Sequence, residues 1–166
     1  MSDNVYLGNP NLKKANTPIE FTEEQIIEFV QCQRDPVYFA NKYVKIVSLD
    51  EGLVPFKPYR FQEKLITNFH ENRFNICKMP RQTGKSTTVV SYLLHYAVFN
   101  DSVNIGILAN KAATARELLG RLQTAYENLP KWMQQGIIAW NKGSLELENG
   151  SKILAASTSA SAVRGM

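Results

Sequence analysis

Apolar positions along this chain change period several times, and each change marks an expected element. Residues 1–20 are polar, carry Pro10, Pro18 and the pair Lys13-Lys14, and read as an irregular, solvated N-terminal arm. Thr22-Glu23-Glu24-Gln25 is a capping box with Phe21 and Ile26 as its hydrophobic staple. It predicts a helix to about Gln33 with Ile26, Ile27 and Val30 as the apolar stripe. Asp35-Pro36 caps a second helix that bears Val37, Ala40 and Val44 on one face. Residues 45–57 suggest a short hairpin turning at Asp50-Glu51-Gly52, with Pro55 confining its second strand to an edge. From Tyr59 onward, Phe61, Leu65 and Phe69 recur at i, i+4 and i+8, an amphipathic helix.

The second half alternates. Residues 74–78 form a short apolar run that predicts a strand. A tight loop follows, and Gly84-Lys85-Ser86 then opens a helix through Val89, Val90, Leu93, Leu94 and Ala97. Asn100-Asp101 makes a turn, and residues 103–109 are a mostly apolar strand. A helix over about 112–129 turns Leu118, Leu119, Leu122 and Ala125 inward and is ended by Pro130. Strand–helix–strand–helix alternation implies an α/β fold with a parallel sheet and right-handed crossovers. Near the C-terminus the period shortens to that of strands over 137–140, 144–148 and 152–156. Asn149-Gly150 joins the last two as a hairpin.

Composition narrows the class. With 166 residues, 44% of them hydrophobic, the chain supports one domain, or one domain plus an appendage. No apolar run approaches transmembrane length and no signal-peptide segment opens the chain. A soluble, intracellular protein with no membrane contact is expected. Cys32 and Cys77 lack metal-ligand spacing and are expected as buried free thiols. The net charge of +4 permits a polyanionic partner without requiring one.

The chemistry concentrates at residues 79–88. A strand, a tight loop and Gly84-Lys85-Ser86 at a helix start have the layout of a phosphate-binding P-loop. The helix N-terminus offers free N–H groups and partial positive charge. Gly84 admits the phosphate, Lys85 would reach the β- and γ-phosphates, and the Ser86 hydroxyl would hold Mg²⁺. Met79 stands where the strict pattern has its first glycine, and Pro80 and Arg81 lie inside the loop. Upstream, Phe61 and Gln62 read two ways. They are a helix start with one surface amide, or an aromatic and an amide that stack on and hydrogen-bond an adenine. Hydrolysis needs a strand ending in carboxylates after the loop, and none follows. Glu146 and Glu148 alternate outward on the expected hairpin. The chain therefore reads as the front of a longer protein.

Pro80-Arg81-Gln82-Thr83-Gly84-Lys85-Ser86-Thr87-Thr88 resembles the variant P-loop of the large terminase subunit of tailed bacteriophages, most closely the T-even type. The resemblance extends over nearly the whole chain. It includes residues 9–16, Phe61-Gln62 at the adenine-binding motif, Gly106-Ile107-Leu108-Ala109, residues 136–151, and Ala162-Val163-Arg164-Gly165. It implies a P-loop NTPase fold, RecA-like, with a parallel sheet and flanking helices, truncated, plus N-terminal helices and a C-terminal β-hairpin. Residues 1–20 would be the arm and 21–166 a partial ATPase domain. The acidic strand and the nuclease domain would lie outside the chain.

By the same resemblance, ATP and Mg²⁺ would be held by Phe61, Gln62, Arg81, Gln82, Thr83, Gly84, Lys85, Ser86 and Thr87. Lys85 and Arg81 would act at the phosphates and Ser86 at the metal. Arg164 lies where some members place an arginine supplied to a neighbouring subunit's ATP; an ordinary loop arginine is the other reading. The implied function is the ATP-binding front of a packaging motor that drives double-stranded DNA into the capsid. The full-length protein would be an ATPase, and this chain alone is expected to be inactive in hydrolysis. The implied partners are DNA, the portal protein, the small terminase subunit and further copies in a ring. The implied place is the host cytoplasm, docked transiently on the procapsid. A non-hydrolysing nucleotide-binding or assembly fragment is the alternative. A helicase-like translocase, which shares the parallel core and the upstream glutamine, is a third.

Overall fold

The computed structural model describes residues 4–48 and 50–158. Where an irregular arm was expected, strands β1 (Val5–Tyr6) and β2 (Asn9–Lys13) form an antiparallel hairpin. Its anchor is Leu12, which is buried, and the side chain of Gln134, also buried. Gln134 Oε1 accepts from Lys13 N at 3.0 Å, while Nε2 donates to Asn11 O at 2.9 Å and Leu129 O at 3.0 Å. Beyond β2, Lys14 bridges Ile137 in parallel, and Glu148 accepts from the backbone N–H groups of Asn16 and Gly136, each at 3.1 Å. Leu12, with Tyr6 against the core, and side-chain clamps from Gln134, Glu148 and Glu127 tie this segment down, so hydrophobic periodicity could not announce it.

Helix α1 (Glu23–Arg34) starts at the expected capping box, with Thr22 N donating to Gln25 Oε1 and Gln25 N to Thr22 Oγ1. Its stripe is turned from the expected one. Ile26 and Ile27 are exposed, and burial falls on Cys32, with Phe29 stacked edge-on to Phe99. Asp35 caps α2 (Pro36–Tyr43) by accepting from Val37 N and Tyr38 N, both at 2.9 Å. Glu28 joins the two helices. Burial works against its charge, but donors from Lys42 (2.8 Å), Tyr43 (2.9 Å) and Tyr38 (3.2 Å) outweigh it and hold the carboxyl below its ordinary range.

Strands β3 (Lys45–Ser48) and β4 (Gly52–Pro55) make the expected hairpin, which pairs with no other described strand. In α3 (Arg60–Glu71) the buried positions are Gln62 and Ile66, while Phe61 is exposed. Helix α4 (Lys85–Phe99) is the most deeply buried helix and packs against α2, α3 and α5 (Ala112–Glu127). Leu119, Leu122 and Ala125 of α5 are buried as expected.

Four strands form one sheet: β5 (Asn104–Ala109), β6 (Ile137–Trp140), β7 (Ser144–Leu147) and β8 (Lys152–Ser157), in the order β5-β8-β7-β6. The sheet is mixed rather than parallel. Only β5 and β8 run parallel; β6, β7 and β8 form an antiparallel meander. The connections after β6 and β7 are turns of a few residues, too short for a crossover, so antiparallel pairing is forced. Gly150, with φ +82°, turns the last hairpin at the expected Asn149-Gly150.

The strand expected at 74–78 is not formed. The segment is irregular, with Phe74 83% and Ile76 100% exposed, and it pairs with no described strand. An apolar strand of this length holds its shape only between neighbours that take its N–H and C=O groups, and here it has none. Cys77 is exposed as a result. Cys32 is buried as expected, and burial pushes its thiol up to about 12.

His95 of α4 is 2% exposed, donates from Nε2 to Cys32 O at 2.9 Å, and sits among Phe39 and Phe99. Burial pushes it down to about 4 from 6.5, so it stays neutral when folded while the unfolded chain takes a proton. Its contribution is complete above pH 6.5 and is lost as the pH falls toward 4. The loss is on the order of 3 kcal/mol and is checked by urea melts across that window, which should flatten in His95→Phe. Gln134→Ala should cost roughly 1–3 kcal/mol and should raise hydrogen exchange at the Lys13 amide, because Lys13 N–H, Asn11 O and the buried Leu129 O lose their bonds.

Candidate functional site

The site is built where the first turns of α3 and α4 meet. Gly84 has φ +73°, a left-handed conformation that opens α4 and turns the chain sharply out of the preceding loop. A methyl group there would come within 2.5 Å of Gln62 Nε2. No side chain caps α4, so the N–H groups of its first turn have no side-chain partner. Gln82 also takes a left-handed φ, +60°. Among the described residues the loop's positive φ angles fall at 82 and 84 and not at 79. The loop therefore accommodates Met79 where the strict pattern has glycine.

Lys85 folds back over this loop. Its Nζ donates to Met79 O at 2.6 Å and Pro80 O at 2.9 Å. Thr83 Oγ1 donates to Pro80 O at 3.0 Å, closing the loop on itself, and Thr88 Oγ1 donates to Gly84 O at 3.0 Å, fixing its C-terminal end to α4. Arg81, Gln82 and Ser86 are exposed, while Thr83, Lys85 and Thr87 are half-buried. The arrangement gathers an ammonium, three exposed polar side chains and open N–H groups around one short loop. Its chemistry suits an anion of high charge density.

At the start of α3, Gln62 is 4% exposed, and its Oε1 accepts from Tyr59 N at 2.8 Å. Phe61 is exposed and stacks on Tyr59, with ring centroids 5.9 Å apart and planes 10° apart. Tyr59, Arg60, Phe61 and Lys64 line an open apolar shelf. Sequence reasoning named Phe61 and Gln62 and missed Tyr59. The available signal was the aromatic at i−2 from Phe61, just ahead of the helix. Arg164 lies outside the described residues.

Glu146 and Glu148 are occupied elsewhere. Glu146 pairs with Lys152 at 3.0 Å, and Glu148 holds the Gly136 and Asn16 amides. Among the described residues no group of His, Cys, Asp and Glu has the makings of a metal cluster, and no helix is long and apolar enough to cross a membrane.

With this geometry in view, residues 76–166 match the family model of the terminase large subunit, T4-like-virus type, N-terminal part. The chain belongs to the T4-like terminase large-subunit family. Its backbone is similar to the crystal structure of the HK97 bacteriophage large terminase, with a TM-score of 0.64 and 17% sequence identity. The likeness covers 81% of this chain and 29% of that one, so the chain spans less than a third of the matched protein. At that identity the comparison bears on fold. This is a mixed α/β terminase domain.

Gly84 and Gln82 separate the two demands on this terminase loop. Gly84→Ala should cost roughly 1–3 kcal/mol, because both the backbone angle and Gln62 oppose a side chain. Gln82→Gly should stay within about 1 kcal/mol of the parent, since relieved strain and added chain entropy oppose each other. Thermal melts of the two variants beside the parent check the contrast.

Proposed function

We propose that the chain is the nucleotide-binding part of a terminase large subunit, with residues 79–87 as a P-loop for ATP and Mg²⁺. The observation that carries the reading is Lys85 Nζ lying over the loop, donating to the carbonyls of Met79 and Pro80 while Gly84 opens α4. An ammonium poised there lies at the mouth of the loop, where terminal phosphates bring charge, and the uncapped first turn of α4 supplies N–H groups. The residues fit the ligand. Lys85 and the loop amides would hold the phosphates, Ser86 has an exposed hydroxyl for Mg²⁺, and Arg81 has an exposed guanidinium suited to a phosphate's spread charge. When bound, the metal would neutralise phosphate charge; the protein's own share is binding and orientation.

The unpaired segment at 74–78 supports a larger sheet than the four described strands. Phe74 and Ile76 are exposed apolar side chains that a neighbouring strand would help to cover, and the free edge of β5 is unfilled among the described strands. We read both as parts of a RecA-like parallel sheet that further strands would complete. By family membership the whole protein would couple ATP hydrolysis to packaging of double-stranded DNA. The portal protein, the small subunit and further copies of the large subunit would be its partners. The described residues favour binding without turnover, because Glu146 and Glu148 are committed to structural contacts.

Calorimetry tests the reading. ATP–Mg²⁺ should bind the chain, and Lys85→Ala should abolish that binding; unchanged affinity in the variant would remove the P-loop. Phosphate release should stay at background for both proteins, with or without DNA. Turnover that vanishes in Lys85→Ala would mean that a carboxylate of this chain orients water.

A further inference from the structure

We propose that Thr88 is a positioning residue of the phosphate loop: its buried hydroxyl fixes the Gly84 carbonyl and so aims the Lys85 N–H at the bound phosphate. The inference rests on the nucleotide-binding reading above and deepens it.

Three hydroxyls follow one another at the start of α4, and they are placed differently. Ser86 is exposed, and Thr87 lines the cleft between α4, α5 and the β3–β4 hairpin. Thr88 is 0% exposed and turns back on its own helix. Its Oγ1 donates to Gly84 O at 3.0 Å, the same carbonyl that accepts from Thr88 N at 3.0 Å. One buried residue thus gives both of its donors to one acceptor. A side chain with no exposed surface touches no ligand in the loop. Any effect of Thr88 on binding must pass through Gly84.

The direction of that carbonyl matters to the loop. Gly84 sits at φ +73°, and without a Cβ its backbone has alternatives that other residues lack. The peptide joining it to Lys85 is therefore the soft point of the turn. That peptide is planar and trans, so its C=O and N–H point in opposite directions. With Gly84 O drawn along α4 toward Thr88, the Lys85 N–H points out of the helix start, toward the loop. The bond from Thr88 N is the first rung of the helix, where fraying begins. The hydroxyl doubles it. A hydrogen bond weakens steeply when its donor is off line, so a peptide held in advance serves an anion better than one that must be ordered on binding.

Two variants separate the hydroxyl from the shape of the side chain. Thr88→Val keeps the shape and removes the hydroxyl, and Thr88→Ser keeps the hydroxyl. Calorimetry on the full chain uses ATP–Mg²⁺ and inorganic tripolyphosphate as probes. Thr88→Val should weaken both by about fivefold, and equally, because the loss falls on the phosphates; Thr88→Ser should stay within about twofold of the parent. Without ligand, the amide order parameter of Lys85 from NMR relaxation should fall in Thr88→Val and hold in Thr88→Ser. This arm reads the peptide directly and does not depend on the P-loop reading. A lower melting temperature in Thr88→Val, with affinity and Lys85 order unchanged, would make the bond merely structural and overturn the proposal. Equal losses of affinity in Thr88→Val and Thr88→Ser would overturn it too, since the hydroxyl would not be their cause. Tripolyphosphate binding that survives Lys85→Ala would remove the P-loop, while the Lys85 order parameter would still decide whether Thr88 holds the peptide.

Discussion

Gly84 must carry no side chain, and much of this structure follows from that. Its left-handed φ starts α4 abruptly, leaving the first-turn N–H groups without a side-chain cap. Its bare α-carbon lets the Gln62 amide settle against the loop, and so brings the first turn of α3 to the first turn of α4. A helix that started with a conventional serine or aspartate cap would have spent those N–H groups internally. The absence of a cap is a small loss of helix stability, which the burial of α4 readily offsets.

That burial makes α4 the axis of the domain. Leu94, Ala97, Val98 and Phe99 are buried, and the helix touches α2 and α3 on one side and α5 on another. The N-terminal helices are thereby coupled through α4 to α5, which packs on β5 and β8. Tyr126 ties α5 to the segment ahead of β6, its hydroxyl donating to Gln135 O while burial pushes the phenol up. The loop at 79–84 thus stands on a rigid base at its C-terminal end. At its N-terminal end it has no such support, because residues 74–78 pair with nothing described.

How much of this was legible in the sequence depended on whether the signal was local. The Thr22 box, the Asp35-Pro36 start and the Asn149-Gly150 turn are bonds between residues a few positions apart, and each element stands where it was expected. The buried face of α3 was misjudged because the 3.6-residue count favoured Phe61, whereas Phe61 had Tyr59 to stack on and Gln62 had Gly84 to fill. The N-terminal hairpin was missed because Gln134 holds it across more than a hundred residues of sequence. The mixed sheet was missed for a similar reason. Alternation reveals strands, but only turn lengths reveal their direction. For the candidate site, Gly84, Lys85 and Ser86 were readable as a motif. That Lys85 would curl onto Met79 O and Pro80 O was not readable, since main-chain carbonyls leave no mark in a sequence.

The asymmetry of the loop bears on the proposed function. Carbonyls of Met79 and Pro80 hold the Lys85 ammonium, and both belong to the end of the loop that continues into the unpaired segment. Pairing residues 74–78 into a sheet would fix those carbonyls, and with them the resting place of the charge. The ammonium would then have a defined position to leave when phosphate arrives. Without such pairing it is held by an exposed segment that pairs with no described strand. If residues 74–78 pair into a sheet as proposed, affinity for phosphate at this loop would depend on that pairing. On this reading α4 provides the rigid half of the site, and the completed sheet would provide the other half.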